Sequence, residues 1–323
     1  MNVNTNSNCI IFGGAGFIGT HLTKQLIDSG SKVTVVDINL PELRIPGVNY
    51  IHHDVRDLTA LELSENFSCI YNLAAVHTTP GHASHEYYET NVLGAIEVTK
   101  FAEKHDVEHV VFTSSISVYG PDEVLKDEFS ELTPNSSYGF SKMLAEKVHK
   151  TWLEASEKRF LTIVRPAVVF GPGEGGNFTR LAKMLQKGVF IFPGRKDTIK
   201  SCIYVDDLLY LIEAAKTSEN RFEILNGAYK ERYSLENIVQ ELTENHFEDA
   251  KTFLLPRGFV LMAAKVFKVF NFMNIGIHPE RVMKLLISTN IYPRWVEQNE
   301  IELPFNLSLA LKDWSRKTNG KFD

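Results

Sequence analysis

The sequence predicts an α/β protein, a doubly wound parallel sheet with a smaller, mainly helical C-terminal region, and three observations carry that prediction. Apolar runs and helix-like periodic segments alternate through the first half of the chain. The runs are rich in Val, Ile and Phe without polar alternation, as strands buried on both faces of a parallel sheet require. A glycine cluster, GGAGFIG, stands between the first run and the first helical segment, where such sheets receive phosphate-bearing ligands.

In chain order, CIIFG leads into the helical GTHLTKQLIDSG and then KVTVVD, VNYIHHD and CIYNLAA. One long helix is expected over EYYETNVLGAIEVTKFAEKHD, followed by the strand HVVFTSS, the helix SYGFSKMLAEKVHKTWLEASE and the strand FLTIVRP ending at Pro166. Beyond it the Gly-rich loop FGPGEGGN breaks the rhythm, then come the helix FTRLAKMLQKG and a second loop around FPGRKD. CIYVDDLLYLIEAAK and RFEILNGA add a helix and a strand returning to the first sheet, with Asp206 or Asp207 placed to cap that helix. The expected division is interleaved. Residues 8–170 and 203–228 form a dinucleotide-binding domain, residues 171–202 and 229–323 a substrate-binding domain, and the site lies in the cleft between them.

The formal net charge of −6 and pI near 6.0 exclude a general nucleic-acid binder, which needs an excess of Lys and Arg. Cys9, Cys69 and Cys202 are widely spaced in strand-like runs, so neither a disulfide framework nor a zinc knuckle is expected, and a reducing, cytoplasmic setting fits. The lead-in MNVNTNSN has no apolar core of a signal peptide. The segment from Gly258 to Ile277 is apolar but interrupted by Lys265 and Lys268, so no stable membrane insertion is expected.

Gly13, Gly16 and Gly19 make G-x-x-G-x-x-G between strand and helix. The three serve a tight turn, a bare backbone against a pyrophosphate and close packing of helix on sheet. Asp37 ends the second strand, where a carboxylate accepts from both ribose hydroxyls and repels a 2′-phosphate, which selects NAD over NADP. Asp54 and Asp57 in HDVRD suit the adenine side of the cofactor, or are solvated loop acids.

Tyr138 and Lys142 stand at i and i+4, so on a helix they share a face, and a nearby ammonium favours the phenolate that a base needs. Ser115, at the mouth of the fifth strand, is placed to hold a substrate oxygen.

Together, the glycine loop, Asp37, NLAA, TNVLGA, TSSISVYG, YGFSK and RPAVVFGPG resemble the extended branch of the short-chain dehydrogenase/reductase superfamily in order and spacing, over roughly residues 9–228. The resemblance implies a Rossmann-type NAD-binding domain and a catalytic set of Ser115, Tyr138 and Lys142, with Tyr138 as acid/base. Lys142 would also bind the nicotinamide ribose. Gly13, Gly16, Phe17, Ile18, Gly19, Asp37, Asp54, Val55, Leu73, Ala74, Ala75 and Asn91 match cofactor-side positions, and the nicotinamide is expected beside Pro166 to Val168.

In dehydratases of that branch an Asp–Glu pair follows the position of Ser115. Here Ile116 and Ser117 stand there, and isoleucine transfers no proton, so hydride transfer without elimination is expected. Asn177 matches an asparagine that nucleotide-sugar members use on the sugar or diphosphate; a plain helix cap is the alternative. Nucleotide-sugar members often carry asparagine where Val168 stands and arginine where Lys200 stands, and lysine lacks the guanidinium fork. Ser117, Lys200 and His77 complete the candidate substrate residues. His82 and His85 share the loop of His77, where no metal is expected. Arg257 and Arg281 are further cations of unassigned place.

The expected activity is hydride transfer at a sugar carbon, C4 of a UDP- or other nucleotide-activated hexose, by an epimerase or a reductase. The alternatives are a 3β-hydroxysteroid dehydrogenase-like enzyme, to which the apolar face after Pro256 also corresponds, and a non-catalytic dinucleotide-binding scaffold. The resemblance further implies a homodimer built on the helices around Asn91 to His105 and Tyr138 to Ala155.

Overall fold

A computed structural model describes residues 7–79, 81–256, 258 and 286–323. The chain separates into two compact units, one of residues 1–120, 131–166 and 208–226, the other of residues 121–130, 167–207 and 227–323.

The first unit alternates strand and helix. β1 (Asn8–Phe12), α1 (Phe17–Asp28), β2 (Lys32–Asp37), β3 (Val48–His52) and β4 (Cys69–Asn72) lead to a helical stretch and β5 (His109–Thr113). The long helix expected over residues 86–106 is broken. α2 (Ser84–Tyr88) passes into a single π turn, Glu89–Leu93, before α3 (Gly94–Lys104). The π turn accommodates Asn91, which is 3% exposed and hydrogen-bonded to the loop after β4.

β5 ends in a 3₁₀ turn, Ile116–Tyr119, followed by β6 (Asp122–Lys126) of the second unit. α4 (Ser137–Glu154) starts where the Ser136 hydroxyl accepts from Gly139 N–H at 3.1 Å, and β7 (Phe160–Pro166) follows.

In the second unit come β8 (Val168–Phe170), α5 (Asn177–Gln186), β9 (Val189–Gly194) and β10 (Cys202–Tyr204). α6 (Val205–Lys216) and β11 (Phe222–Gly227) return the chain to the first unit's sheet, and α7 (Leu235–Asn245) and β12 (Lys251–Pro256) follow. Past the residues not described come β13 (Thr289–Ile291), α8 (Arg294–Gln298) and α9 (Leu307–Lys317). Asp206 and Asp207 lie in the first turn of α6, but Asp207 turns its carboxylate to the Tyr229 hydroxyl at 2.7 Å and Phe305 N–H at 3.1 Å instead of capping the helix.

The seven-stranded sheet has the order β11-β7-β5-β4-β1-β2-β3. The pairs β1–β2, β1–β4, β2–β3, β4–β5 and β5–β7 are parallel. Ile10, Ile11 and Phe12 of β1 are fully buried, as the absence of polar alternation requires. The order reverses between β1 and β4, and at such a switch the carboxyl ends of the strands leave a crevice for ligand. The glycine loop follows β1 there, and the Leu73–Val76 loop follows β4. Among the described residues no helix is long and apolar enough to cross a membrane. The apolar segment 258–277, apart from Gly258, and Arg257 and Arg281 lie outside the described residues.

Candidate active site

The three glycines of the G-x-x-G-x-x-G spacing have different reasons to lack a side chain. Gly13 has φ +79°, and an added Cβ would lie 2.5 Å from the backbone nitrogen of Ala74; at Gly19 it would lie 2.6 Å from the Gly13 carbonyl oxygen. Both are therefore explained by the protein's own packing. Gly16 is not. It is exposed, its φ is an ordinary −70°, and an added Cβ would meet only the Gly13 oxygen at 3.4 Å. Gly16 is the N-cap of α1 with no side-chain cap, and Phe17, Ile18 and Gly19 form the first turn, whose N–H groups face outward. The result is a cradle that a Cβ would fill, which fits the NAD pyrophosphate.

Asp37 stands beside it. Its carboxylate accepts from Ala15 N–H and Asn39 N–H, both at 3.0 Å, which fixes the group at the edge of the glycine loop. Asp54 is engaged by Arg56 at 2.6 Å, and that hydrogen bond holds its carboxyl below the ordinary value. Val55 is 8% exposed and packs under Gly94, where an added Cβ would sit 3.0 Å from it. Asn91 binds the loop after β4 in both directions, accepting from Val76 N–H at 2.9 Å and donating to Val76 C=O at 3.1 Å and to the Ser141 hydroxyl at 2.8 Å. It thereby shapes the wall formed by Leu73, Ala74 and Ala75.

Ser115 follows β5, Tyr138 interacts with it, and Lys142, one turn along α4 from Tyr138, reaches the β5 carbonyl of Thr113. Ser115 caps the 3₁₀ turn, accepting from Ser117 N–H at 3.1 Å and donating to the Ser117 hydroxyl at 3.2 Å. The lowering expected from Lys142 at i+4 is not found: burial raises the Tyr138 phenol above its ordinary value, Ser115 pulls it down, and Tyr87, whose ring lies 6.3 Å away, pushes it up. Lys142 is 1% exposed. Its ammonium donates to the Thr113 carbonyl at 2.7 Å and lies 4.7 Å from the centre of the Phe112 ring. Burial pushes it down to about 7, with the Glu146 carboxylate opposing. Two of its three donor positions remain for a ligand. Ile116, which follows Ser115, is buried at 9% exposure.

His77 extends from the same loop as Ala75. Burial lowers its pKa, hydrogen bonding to Ala75 raises it, and Lys142 lowers it further, which puts the imidazole near the ammonium. His82 pairs instead with Glu86 at 2.9 Å, and His85 is exposed in α2.

Sequence reasoning passed over a group beneath this site. Glu146, one turn beyond Lys142 on the buried face of α4, forms an ion pair with Arg165 at 2.7 Å and accepts from Ser114 at 2.6 Å. The signal was present as a third member of the Tyr138, Lys142, Glu146 series at four-residue spacing. His149 continues that face, fully buried with its Nε2 3.2 Å from Asn72 Nδ2.

In the second unit, Val168 opens β8 and pairs with Cys202 of β10. Asn177 is the first residue of α5 and exposed; the cap position belongs to Gly176, and Glu174 accepts from Thr179 N–H at 3.0 Å. An anion at this helix start thus meets a carboxylate already there. Lys200 donates to the Ile287 carbonyl at 2.7 Å, and burial pushes its ammonium down to about 8.

The likeness to known proteins agrees with this geometry. A 4-epimerase of Escherichia coli O157:H7, named for N-acetyl-α-D-glucosaminyl-diphospho-ditrans,octacis-undecaprenol, is 29% identical over 318 residues, 95% of this chain and 93% of that one. MoeE5, solved in complex with UDP-glucuronic acid and NAD, superposes with a TM-score of 0.66 at 25% identity, covering 78% of this chain and 90% of its own. The UDP-Glc/GlcNAc 4-epimerase of Campylobacter jejuni shares the fold, with a TM-score of 0.75 at 21% identity over 96% of this chain and 99% of its own. Residues 9–226 match the NAD dependent epimerase/dehydratase family. The chain therefore belongs to that family, within the extended short-chain dehydrogenase/reductases that its motifs resemble, and is an NAD-dependent enzyme.

Proposed function

We propose that this enzyme is a 4-epimerase of a nucleotide-activated hexose. The observation that carries the reading is the buried Lys142 ammonium, which donates to the Thr113 carbonyl two residues before Ser115 from the helix that also carries Tyr138, with Ile116 in place of the proton carrier that elimination chemistry needs. Gly16 and the first turn of α1 would hold the pyrophosphate, Asp37 the adenosine ribose and Lys142 the nicotinamide ribose. NAD, when bound, would supply the acceptor and donor of hydride for the sugar carbon. Tyr138, whose burial-raised phenol would ionise beside the positive nicotinamide ring, would then take the proton of the sugar hydroxyl, Ser115 would hold that oxygen, and Tyr138 would give the proton back after the ketosugar has turned. Ser117 and His77 are assigned to contacts with the sugar.

The relatives' names support a hexose joined through a diphosphate: one carries it on undecaprenol, another was solved with UDP-glucuronic acid. The nucleotide-linked sugar is the substrate of this reading, and the lipid diphosphate is the second arm of the test. Purified protein is incubated with UDP-hexoses, UDP-N-acetylhexosamines and the polyprenyl diphosphate sugar, and the products are resolved by chromatography. Interconversion at C4 without net change at 340 nm supports the epimerase. Stoichiometric formation or consumption of NADH overturns it in favour of a one-way oxidoreductase. Turnover of the lipid-linked sugar alone overturns the nucleotide.

A homodimer and a cytoplasmic setting belong to the same reading. Leu93 and Phe140 are 41% and 42% exposed beside and on the helices expected to pair. The three cysteines are free and buried, which suits a reducing compartment. A monomer mass in sedimentation would overturn the dimer.

A further inference from the structure

Helix α4 carries Lys142, Glu146 and His149 on its buried face, at 1%, 1% and 0% exposure, where charged residues are rare unless paired. Glu146 has no part in the chemistry described so far, yet its surroundings are fully built. One carboxylate oxygen accepts from the Ser114 hydroxyl at 2.6 Å and from Arg165 Nε at 2.8 Å, and the other accepts from Arg165 Nη2 at 2.7 Å. Arg165 donates onward to the Tyr119 hydroxyl at 2.7 Å, which donates to Asn226 at 2.9 Å. The chain of bonds ties the end of β5, the middle of α4, β7 one residue before Pro166, and β11. Well-packed apolar residues often replace such a buried pair at no loss of stability, so stability alone does not account for it.

Its position does. Ser114 precedes Ser115, and Lys142 lies one turn before Glu146 on the same face. The groups around the Lys142 ammonium are the Thr113 carbonyl and Phe112 ring of β5, Glu146 and His149 of α4, and His77 of the loop after β4, with Arg165 of β7 behind Glu146. The negative charge in that set is Glu146.

We propose that Glu146 is a positioning residue for the NAD-dependent reaction: clamped by Arg165 and Ser114, its carboxylate is the fixed negative charge that keeps the Lys142 ammonium protonated in its buried pocket. The inference rests on the reading that Lys142 holds the nicotinamide ribose. Burial drives Lys142 down to about 7 while Glu146 pulls the other way, so its charge at neutral pH depends on the carboxylate.

The test is the affinity of the cofactor-stripped protein for NAD⁺, measured by calorimetry across neutral to alkaline pH. In the wild type, affinity falls above a midpoint where Lys142 loses its proton. Glu146→Gln moves that midpoint to lower pH by about one unit, weakening binding about tenfold on its alkaline side, and Glu146→Asp, which keeps the charge, restores the wild-type midpoint. The double variant Glu146→Gln/Arg165→Met removes both members of the buried ion pair, so it serves where the single variant, which strands the Arg165 guanidinium, does not fold, and it shows a shift in the same direction. A wild-type midpoint in both Gln variants, or equal and pH-independent weakening in the Gln and Asp variants, overturns the proposal. Lys142→Met separates the two layers of the argument. If it binds NAD⁺ weakly without pH dependence, the ribose assignment stands; if it binds as the wild type does, that assignment fails and the role of Glu146 with it.

Discussion

Gly139 lies against the carbonyl of Ser117 with no room for a side chain: an added Cβ would sit 2.4 Å from that oxygen. Gly139 follows Tyr138, and Ser117 stands two residues after Ser115, so this contact sets the approach of the helix that carries the phenol to the turn that carries the hydroxyl. Gly139→Ala must push the two apart. A displacement near 1 Å costs on the order of 100-fold in catalysis. The expected outcome is that loss in kcat with NAD affinity within a few-fold of the wild type, since the glycine cradle is elsewhere. Steady-state kinetics and NAD titration on the same preparation check it; unchanged kcat would sink the claim.

Tyr138→Phe removes the proton carrier and keeps the ring against Tyr87. Turnover is expected to fall by about 100- to 10,000-fold, the usual size of a general acid–base contribution. NAD binding and melting temperature should stay close to the wild type. Comparable losses in binding would mean the hydroxyl holds the site together instead of moving protons.

Gly13 and Gly16 should respond differently to the same substitution. Gly13→Ala forces a side chain onto φ +79° and into the Ala74 backbone, so it lowers the melting temperature or prevents folding. Gly16→Ala has room within the protein and should fold with nearly wild-type stability while losing at least about tenfold in NAD affinity. Thermal unfolding and calorimetry of both variants decide this. If Gly16→Ala binds NAD normally, the cradle is not where the pyrophosphate sits.

Acid should unfold the first unit through its buried imidazoles. Burial pushes His149 down to about 3 and His109 to about 4, against 6.5 when exposed. Below 6.5 the unfolded chain takes protons that the fold refuses. The stability these groups contribute is therefore complete above 6.5 and is lost as pH falls toward 4 and then 3. For His149 the slope is about 1.4 kcal/mol per pH unit within that window. Asp207, raised by burial to about 6 from 3.8, acts in the opposite sense, its contribution growing as pH falls from about 6 to about 4. His149→Gln should therefore flatten the fall in urea-unfolding free energy between pH 6.5 and 4 by about one proton's slope; an unchanged slope would mean that His149 is protonated in the fold.

The sheet was legible because its strands are unbroken apolar runs, and the cofactor loop because glycine spacing and Asp37 report backbone constraints directly. What stayed hidden arises where local pattern and tertiary contact disagree. Residues 86–106 read as one helix because apolar periodicity barely registers a single added residue, and only the pairing of Asn91 with the loop after β4 reveals the π turn. Glu146 and Arg165 went unremarked, since sequence supplies the face of a helix but not the guanidinium 19 residues on that meets it. Asn177 illustrates the reverse: its place at a helix start was readable, but the competing carboxylate of Glu174 was not.

The π turn at Glu89–Leu93 makes the chain unusually intolerant of a length change at one spot. A π turn holds one residue more than the α-helical turn it replaces. Deleting one residue there would restore regular helical pitch and leave hydrophobic content almost unchanged. It would also rotate everything before it by about 100° around the axis relative to α3, turning Asn91 away from Val76 and Tyr87 away from Tyr138. Among relatives of this chain, insertions and deletions should therefore collect in the exposed loops and avoid these five residues.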